Sequence, residues 1–263
     1  MSGQLTGKRG LVMGVANERS IAWGIAKACA EAGAELAFTH QGEAFGQRLK
    51  PLAESVGSDL LIDVDVTDDA SLDRAFAALE ERWGRLDFLV HAIAFSDKSE
   101  LQGRFMNTSR SNFKNSLDIS CYSFIEVARR AHPLMAESGG TLMTLTYQGS
   151  NKVVPNYNVM GVAKAALEAS VRYLANDLGR DGIRVNALSP GPMKTLAGAA
   201  ISGARKTFKH TDQNAPLGGN ATLEAVGGTA VWLASDAGAC TTGEIVHIDG
   251  GFHVLGMPQF ENL

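Results

Sequence analysis

A chain of 263 residues, 45% hydrophobic and 20% charged, can bury the core of one α/β domain. Its formal net charge of −4 argues against a nucleic-acid or anionic-membrane surface, which needs clustered Lys and Arg. The three cysteines, Cys29, Cys121 and Cys240, are scattered, and the six histidines lack metal-ligand spacing, so a reducing cytoplasm and no metal site are expected. The N-terminus carries no apolar secretory core, and no apolar run approaches the roughly 20 residues that span a bilayer.

In chain order, "RGLVMGV" (9–15) reads as a buried strand and "SIAWGIAKACAEAG" (20–33) as a helix stopped by Gly33. A second strand (34–40), a weaker helix (43–57) and a third strand (59–66) follow. The helix over 68–84 places Leu72, Phe76 and Leu79 on one face and ends at Gly84. A fourth strand (85–95), a long helical pattern from Ser111 to Glu137 and a fifth strand (140–147) lead to a helix running toward Gly179. Strands over 183–191 and 244–251 complete seven. This alternation means βαβ units, hence a parallel sheet wound on both faces, in one domain over 1–263. The one stretch that breaks the alternation, 192–220, follows a strand where ligands bind, and is either a lid or a plain surface excursion.

The first strand opens into "GVANERSIAWG" (14–24). Gly14 suits a tight turn close to a phosphate, Ser20 can cap the helix and offer its hydroxyl, and Gly24 is expected to let the helix approach the sheet. The second strand ends at Gln41, where an acidic side chain would bind an adenine ribose and an arginine a 2′-phosphate. A neutral amide there favours NADH over NADPH, with Arg48 in the next helix as the counterweight. Asp65 and Val66 at the end of the third strand suit an adenine amino group and ring, although an acid there also fits a helix cap.

"YQGSNKVVPNYNVMGVAK" (147–164) offers two tyrosines to one lysine. Tyr157 and Lys164 are seven residues apart, nearly two helical turns, so one helix would align them on one face. Lys164 would then hold ribose hydroxyls while Tyr157 faces the substrate oxygen, its phenol made more acidic by the ammonium. A half-buried aromatic and a solvated helix charge fit the same two residues.

The chain resembles the short-chain dehydrogenase/reductases over nearly its full length, and among them most closely the bacterial enoyl-acyl carrier protein reductases. The resemblance rests on "GVANERSIAWGIA", "DVDV", "LVHAIAF", the Tyr147–Lys164 stretch, "IRVNALSPGPMKTLA" and "TGEIVHIDGG". Most specific is Tyr-x6-Lys in place of Tyr-x3-Lys, with Met160 in the usual tyrosine position and Tyr147 where ordinary members place a serine. It implies a Rossmann-like fold and NADH-dependent reduction of a trans-2-enoyl thioester on acyl carrier protein, in fatty-acid elongation. Tyr157 would be the oxyanion donor, Lys164 the ribose ligand, and Tyr147 a third residue at the reacting end.

By the same resemblance Ile21, Ile93, Pro192 and Thr195 join the cofactor contacts, and Ala94, Met160 and Phe208 line the substrate site. A lid from Ala197 to Phe208, within about 194–212, would cover it, with Lys194, Arg205, Lys206 and Lys209 placed to meet an acidic carrier. A homotetramer is also implied. "LVHAIAF" departs from the usual form, which has Ser and Gly at Ala92 and Ala94; the change bears on inhibitor fit. An NAD(P)-dependent alcohol or ketone oxidoreductase is the alternative in a neighbouring reaction class, and a non-catalytic dinucleotide-binding protein the alternative outside enzymes.

Overall fold

Parallel strands buried on both faces demand continuous apolar runs, and the chain supplies them. In the computed structural model, which describes residues 3–199 and 201–262, these runs form one seven-stranded parallel sheet. Its first half comprises β1 (Arg9–Met13), α1 (Ile21–Glu31), β2 (Glu35–His40), α2 (Glu43–Ser55), β3 (Leu60–Asp63) and α3 (Asp69–Trp83). Its second half comprises β4 (Phe88–His91), α4 (Arg110–Leu117), α5 (Ser123–Met135), β5 (Gly140–Leu145), α6 (Val159–Leu178) and β6 (Ile183–Pro190). Helices α7 (Leu196–Ala199), α8 (Ala204–Asn214) and α9 (Leu223–Ala234) precede β7 (Ile245–Ile248).

The strand order is β3-β2-β1-β4-β5-β6-β7, so the winding reverses between β1 and β4. Ligands of such sheets bind beyond the carboxyl ends of the strands at that reversal. Two apolar layers hold the helices against the sheet. One contains Leu72 and Leu79 of α3, Phe124 of α5 and Leu167 of α6; the other contains Ile25 of α1, Leu49 of α2 and Val231 of α9. Each such fully buried side chain contributes roughly 1.5–3 kcal/mol. The α3 boundaries have local causes: Asp68 accepts the Ala70 N–H at its start, and Gly84 ends it at φ 67°.

Several elements differ from expectation, most of them near the carboxyl end of the sheet. β3 stops at Asp63 and β4 at His91, because the chain leaves the sheet there instead of continuing to 66 and 95. The helix expected from Ser111 to Glu137 is interrupted by a π turn at Asp118–Tyr122. The sequence pattern offered no helix over 223–234, where α9 lies. Gly24 serves that helix and not the sheet: a Cβ on Gly24 would sit 2.8 Å from Leu223 Cβ, and one on Gly227 would sit 2.7 Å from the Gly24 carbonyl oxygen.

Candidate active site

Gly14 leaves β1 at φ 94°, and a Cβ there would lie 2.1 Å from the Ala92 carbonyl oxygen at the exit of β4. Only glycine leaves this cradle open between the two strands where the winding reverses. The Ser20 hydroxyl accepts the Ala16 and Asn17 N–H groups at 3.0 Å each, which folds the loop ahead of Ile21 and leaves its own hydrogen to donate. Ser20 makes no side-chain cap to α1, so the helix start stays open to an anion.

At the ends of β2 and β3, Gln41 Nε2 donates to Asp65 Oδ2 at 3.0 Å. Asp65 Oδ1 accepts both the hydroxyl and the N–H of Thr67, and these bonds, with that from Gln41, hold its carboxyl below the usual range. Asp68, not Asp65, caps α3. Val66 and Ile93 are half-buried against the core beside the strand ends, and Ala94 is exposed. Pro192 is half-buried after β6, and Thr195 Oγ1 accepts the Gly198 N–H at the start of α7. Arg48 lies over the Phe45 ring of its own helix, 5.9 Å from the centroid.

The tyrosines and the lysine come from three different pieces of backbone. Tyr147 follows β5. Tyr157 does not lie on the helix with Lys164, as the spacing suggested, but in a turn before α6. Asn156 and Asn158 flank it at φ 67° and 45°; asparagine enters positive φ more readily than most residues, although Asn158, with ψ −125°, lies outside the left-handed helical well. Asn158 Nδ2 donates to the Glu100 carbonyl at 2.9 Å and Asn156 Nδ2 to the Ser202 carbonyl at 3.0 Å, which ties the turn to its neighbours. Lys164 is 6% exposed and donates to the Leu145 carbonyl at 2.7 Å, leaving two of its three N–H groups for a ligand.

Tyr157 packs with Leu101 and Met160, and Tyr147, Val154 and Ile201 close this apolar cluster. Gly149 makes room for it, since a Cβ there would be 2.4 Å from Tyr157 Cδ1. Burial pushes the Tyr157 hydroxyl well above the usual phenol range, so the expected acidification by Lys164 does not occur. Tyr147 is raised as well, chiefly by burial. Both are neutral donors. Burial also draws the Lys164 ammonium down to about 8.

The segment over 194–212 is helical in two pieces. Ile201 from it reaches the Tyr157 cluster, whereas Phe208 lies under the Lys194 ammonium, 4.7 Å from ring centroid to Nζ. Ala200, within the expected lid, is outside the described residues. Arg205, Lys206 and Lys209 are exposed along α8. A groove of about 480 Å³, lined by Gln148, Val154, Thr211 and Phe252 among others, runs beside the tyrosine cluster. Among the described residues no cluster of His, Cys, Asp or Glu could hold a metal ion. The sequence reading did not single out Leu101, and it held Ile201 only as part of the expected lid, where an apolar residue among small ones was the signal that could have marked it.

The family model described as enoyl-(acyl carrier protein) reductase matches residues 14–253. The chain belongs to the enoyl-(acyl carrier protein) reductase family. It is 59% identical to enoyl-[acyl-carrier-protein] reductase [NADH] 2 of Rhizobium meliloti (strain 1021), over all of this chain and 98% of that one. Among solved structures, the Anaplasma phagocytophilum reductase in complex with NAD is 54% identical, with a TM-score of 0.95 and 98% of each chain covered. The Bacillus cereus enoyl-acyl carrier protein reductase with NADP+ and an indole naphthyridinone is 46% identical, with a TM-score of 0.95, covering 98% of this chain and all of that one. The doubly wound sheet is therefore the family's fold.

Proposed function

We propose that this reductase uses NADH to reduce the trans-2 double bond of enoyl thioesters carried on acyl carrier protein, in fatty-acid synthesis. The observation that carries the reading is the buried, neutral Tyr157 hydroxyl in an apolar cluster, with Tyr147 in place of the serine of ketone-reducing relatives. A ketone reductase must bind and protonate the oxygen on the carbon that receives hydride. An enoyl reductase receives hydride at Cβ and builds negative charge on the thioester oxygen, so a donor displaced from the usual place is what the reaction asks for.

Bound NADH supplies the hydride. The residues present fit it: the Gly14 cradle is open, Gln41 and Asp65 carry polar groups at the adenosine end, and Lys164 has N–H groups to spare. In this reading Gly14, Ser20, Ile21, Ile93, Pro192 and Thr195 hold the dinucleotide, and Lys164 takes the nicotinamide ribose hydroxyls. Tyr157 donates to the thioester oxygen as enolate charge develops, Tyr147 orients Tyr157, and Met160, Ala94 and Ile201 shape the acyl pocket. The neutral Gln41 supports NADH, while the relative bound to NADP+ makes NADPH the comparison to run.

We place the carrier protein against the exposed Arg205, Lys206 and Lys209 of α8. A homotetramer is supported by exposed apolar side chains, Val153, Tyr173, Leu217, Met257 and Phe260, which self-association would cover. No helix among the described residues is long and apolar enough to cross a membrane, in keeping with a cytoplasmic enzyme.

The test is NADH consumption with crotonyl thioester beside acetoacetyl thioester, with NADPH in parallel. Turnover of the enoyl substrate with NADH is expected. Turnover of the ketone alone would overturn the reading.

A further inference from the structure

Two side chains one turn apart on α6 grip consecutive residues at the exit of β5. Lys164 Nζ donates to the Leu145 carbonyl at 2.7 Å, and Glu168 Oε1 accepts the Thr146 hydroxyl at 2.6 Å. The next residue is Tyr147, whose ring meets Tyr157. An i,i+4 pair of opposite charge normally faces solvent and itself. Here both members turn to the strand, and Thr146 is only 4% exposed.

We propose that Glu168 is a positioning residue of the reaction: it fixes the path of the chain into Tyr147 through Thr146 and supplies the negative charge that keeps Lys164 an ammonium for NADH. The proposal rests on the assignment of Lys164 to the nicotinamide ribose.

Among the described residues the surroundings leave no other group for the second role. Against the burial that draws Lys164 down stand only Cys121, on the π turn, and Glu168. The Cys121 thiol is itself raised by burial and so is uncharged near neutral pH. His91 of β4 is drawn down by burial and by Lys164, and is neutral too. Tyr157 in the preceding turn stays neutral. The Glu168 charge also bears on His247 of β7, which is drawn down by burial and by His253, with Asp249 and Lys152 acting on it too. Glu168 is thus the carboxylate that bears on the ammonium, and its own hydrogen-bond partner is the neutral Thr146.

Direct NADH binding, followed by fluorescence from neutral to alkaline pH, separates the roles. In the wild type, affinity falls as pH rises through about 8, where Lys164 loses its proton. Glu168→Gln keeps an oxygen for Thr146 and removes the charge, so the midpoint moves to lower pH by roughly 0.5–1 unit. Glu168→Asp restores the charge and returns the midpoint toward the wild-type value. Thr146→Val keeps the charge and the midpoint, but lowers turnover of crotonyl thioester roughly tenfold at unchanged KM for NADH, through misplaced tyrosines.

A Glu168→Gln profile that superposes on the wild type, or full turnover in Thr146→Val, overturns the proposal. Lys164→Ala in the same titration distinguishes the two failures. If the wild-type profile survives that substitution, the ribose assignment is wrong. If Lys164→Ala abolishes the profile while Glu168→Gln leaves it unmoved, Glu168 alone is misassigned.

Discussion

Tyr147 and Tyr157 meet edge to face, with ring centroids 5.3 Å apart and planes inclined at 76°. Such pairs contribute about 0.5–1.5 kcal/mol beyond the area they bury, so each ring helps to hold the other. The pair joins the exit of β5 to the turn before α6, two segments that share no regular element. Its hydroxyls can therefore be altered while the rings remain.

Tyr157→Phe is the cleanest such change. The edge-to-face contact and the apolar cluster persist, and one donor to the developing oxyanion is lost. Turnover of crotonyl thioester should fall roughly 10²–10³-fold, the effect of removing a single oxyanion donor. NADH affinity and thermal stability should stay near wild type. Steady-state kinetics with a separate NADH titration checks both, and unaltered turnover would remove Tyr157 from the chemistry.

Gly149→Ala tests placement without touching a hydroxyl. Its backbone is outside the left-handed region, so the added methyl acts only by contact, and it would sit 2.4 Å from Tyr157 Cδ1. Either the ring or the 148–150 turn must shift. Overpacking of this kind typically costs about 1–3 kcal/mol. We expect turnover to drop by at least about tenfold, since a small misplacement at a reacting group is costly. Chemical denaturation and the same kinetic assay measure the two effects.

These two residues also mark where sequence reading reaches and where it stops. The alternation of apolar runs and helical periods made the sheet legible, because parallel strands such as Phe88–His91 are buried on both faces. Gly14, Gln41 and Asp65 could be singled out as cofactor candidates because a dinucleotide site would meet fixed strand ends, and the structure places Gly14 at the exit of β1 and bonds Gln41 to Asp65. The position of Tyr157 was not: a seven-residue spacing looks helical unless the backbone of Asn156 and Asn158 is known. Glu168 was hidden for a related reason. A glutamate four residues after a lysine reads as a solvated helix pair, and only the tertiary meeting with Thr146 distinguishes it. α9 escaped because its paired glycines weaken a helix pattern, and one of them, Gly227, answers to Gly24 on another helix.

His91 makes the fold sensitive to acid. It is fully buried between Ser123 and Thr144, and burial, with Lys164 nearby, draws it from 6.5 to about 3. The unfolded chain takes up this proton as pH falls below 6.5 and the folded chain does not, so stability falls with pH down to about 3. The loss amounts to several kcal/mol at most. His91→Asn should be less stable at neutral pH, having lost fitted hydrogen bonds, but its stability should decline less steeply on acidification. Urea unfolding across that range gives both slopes, and parallel curves would contradict the prediction.

Lys164 carries the opposite liability, on the alkaline side. Its ammonium is buried with the Leu145 carbonyl as its hydrogen-bond partner, and even with Glu168 one turn away its proton affinity drops from 10.5 to about 8 on folding. Between those values the unfolded chain holds the proton and the folded chain has released it, so stability gains as pH rises from about 8 to 10.5. At 1.36 kcal/mol per pH unit the gain approaches about 3 kcal/mol. Lys164→Met lacks this term, and it orphans the Leu145 carbonyl at a cost of about 1–3 kcal/mol. At neutral pH the variant should therefore be close to the wild type in stability, or slightly above it, while NADH binding is lost. Toward pH 10 the wild type should pull ahead. A wild-type advantage that does not grow with pH would show that Lys164 is not a buried ammonium held for a ligand.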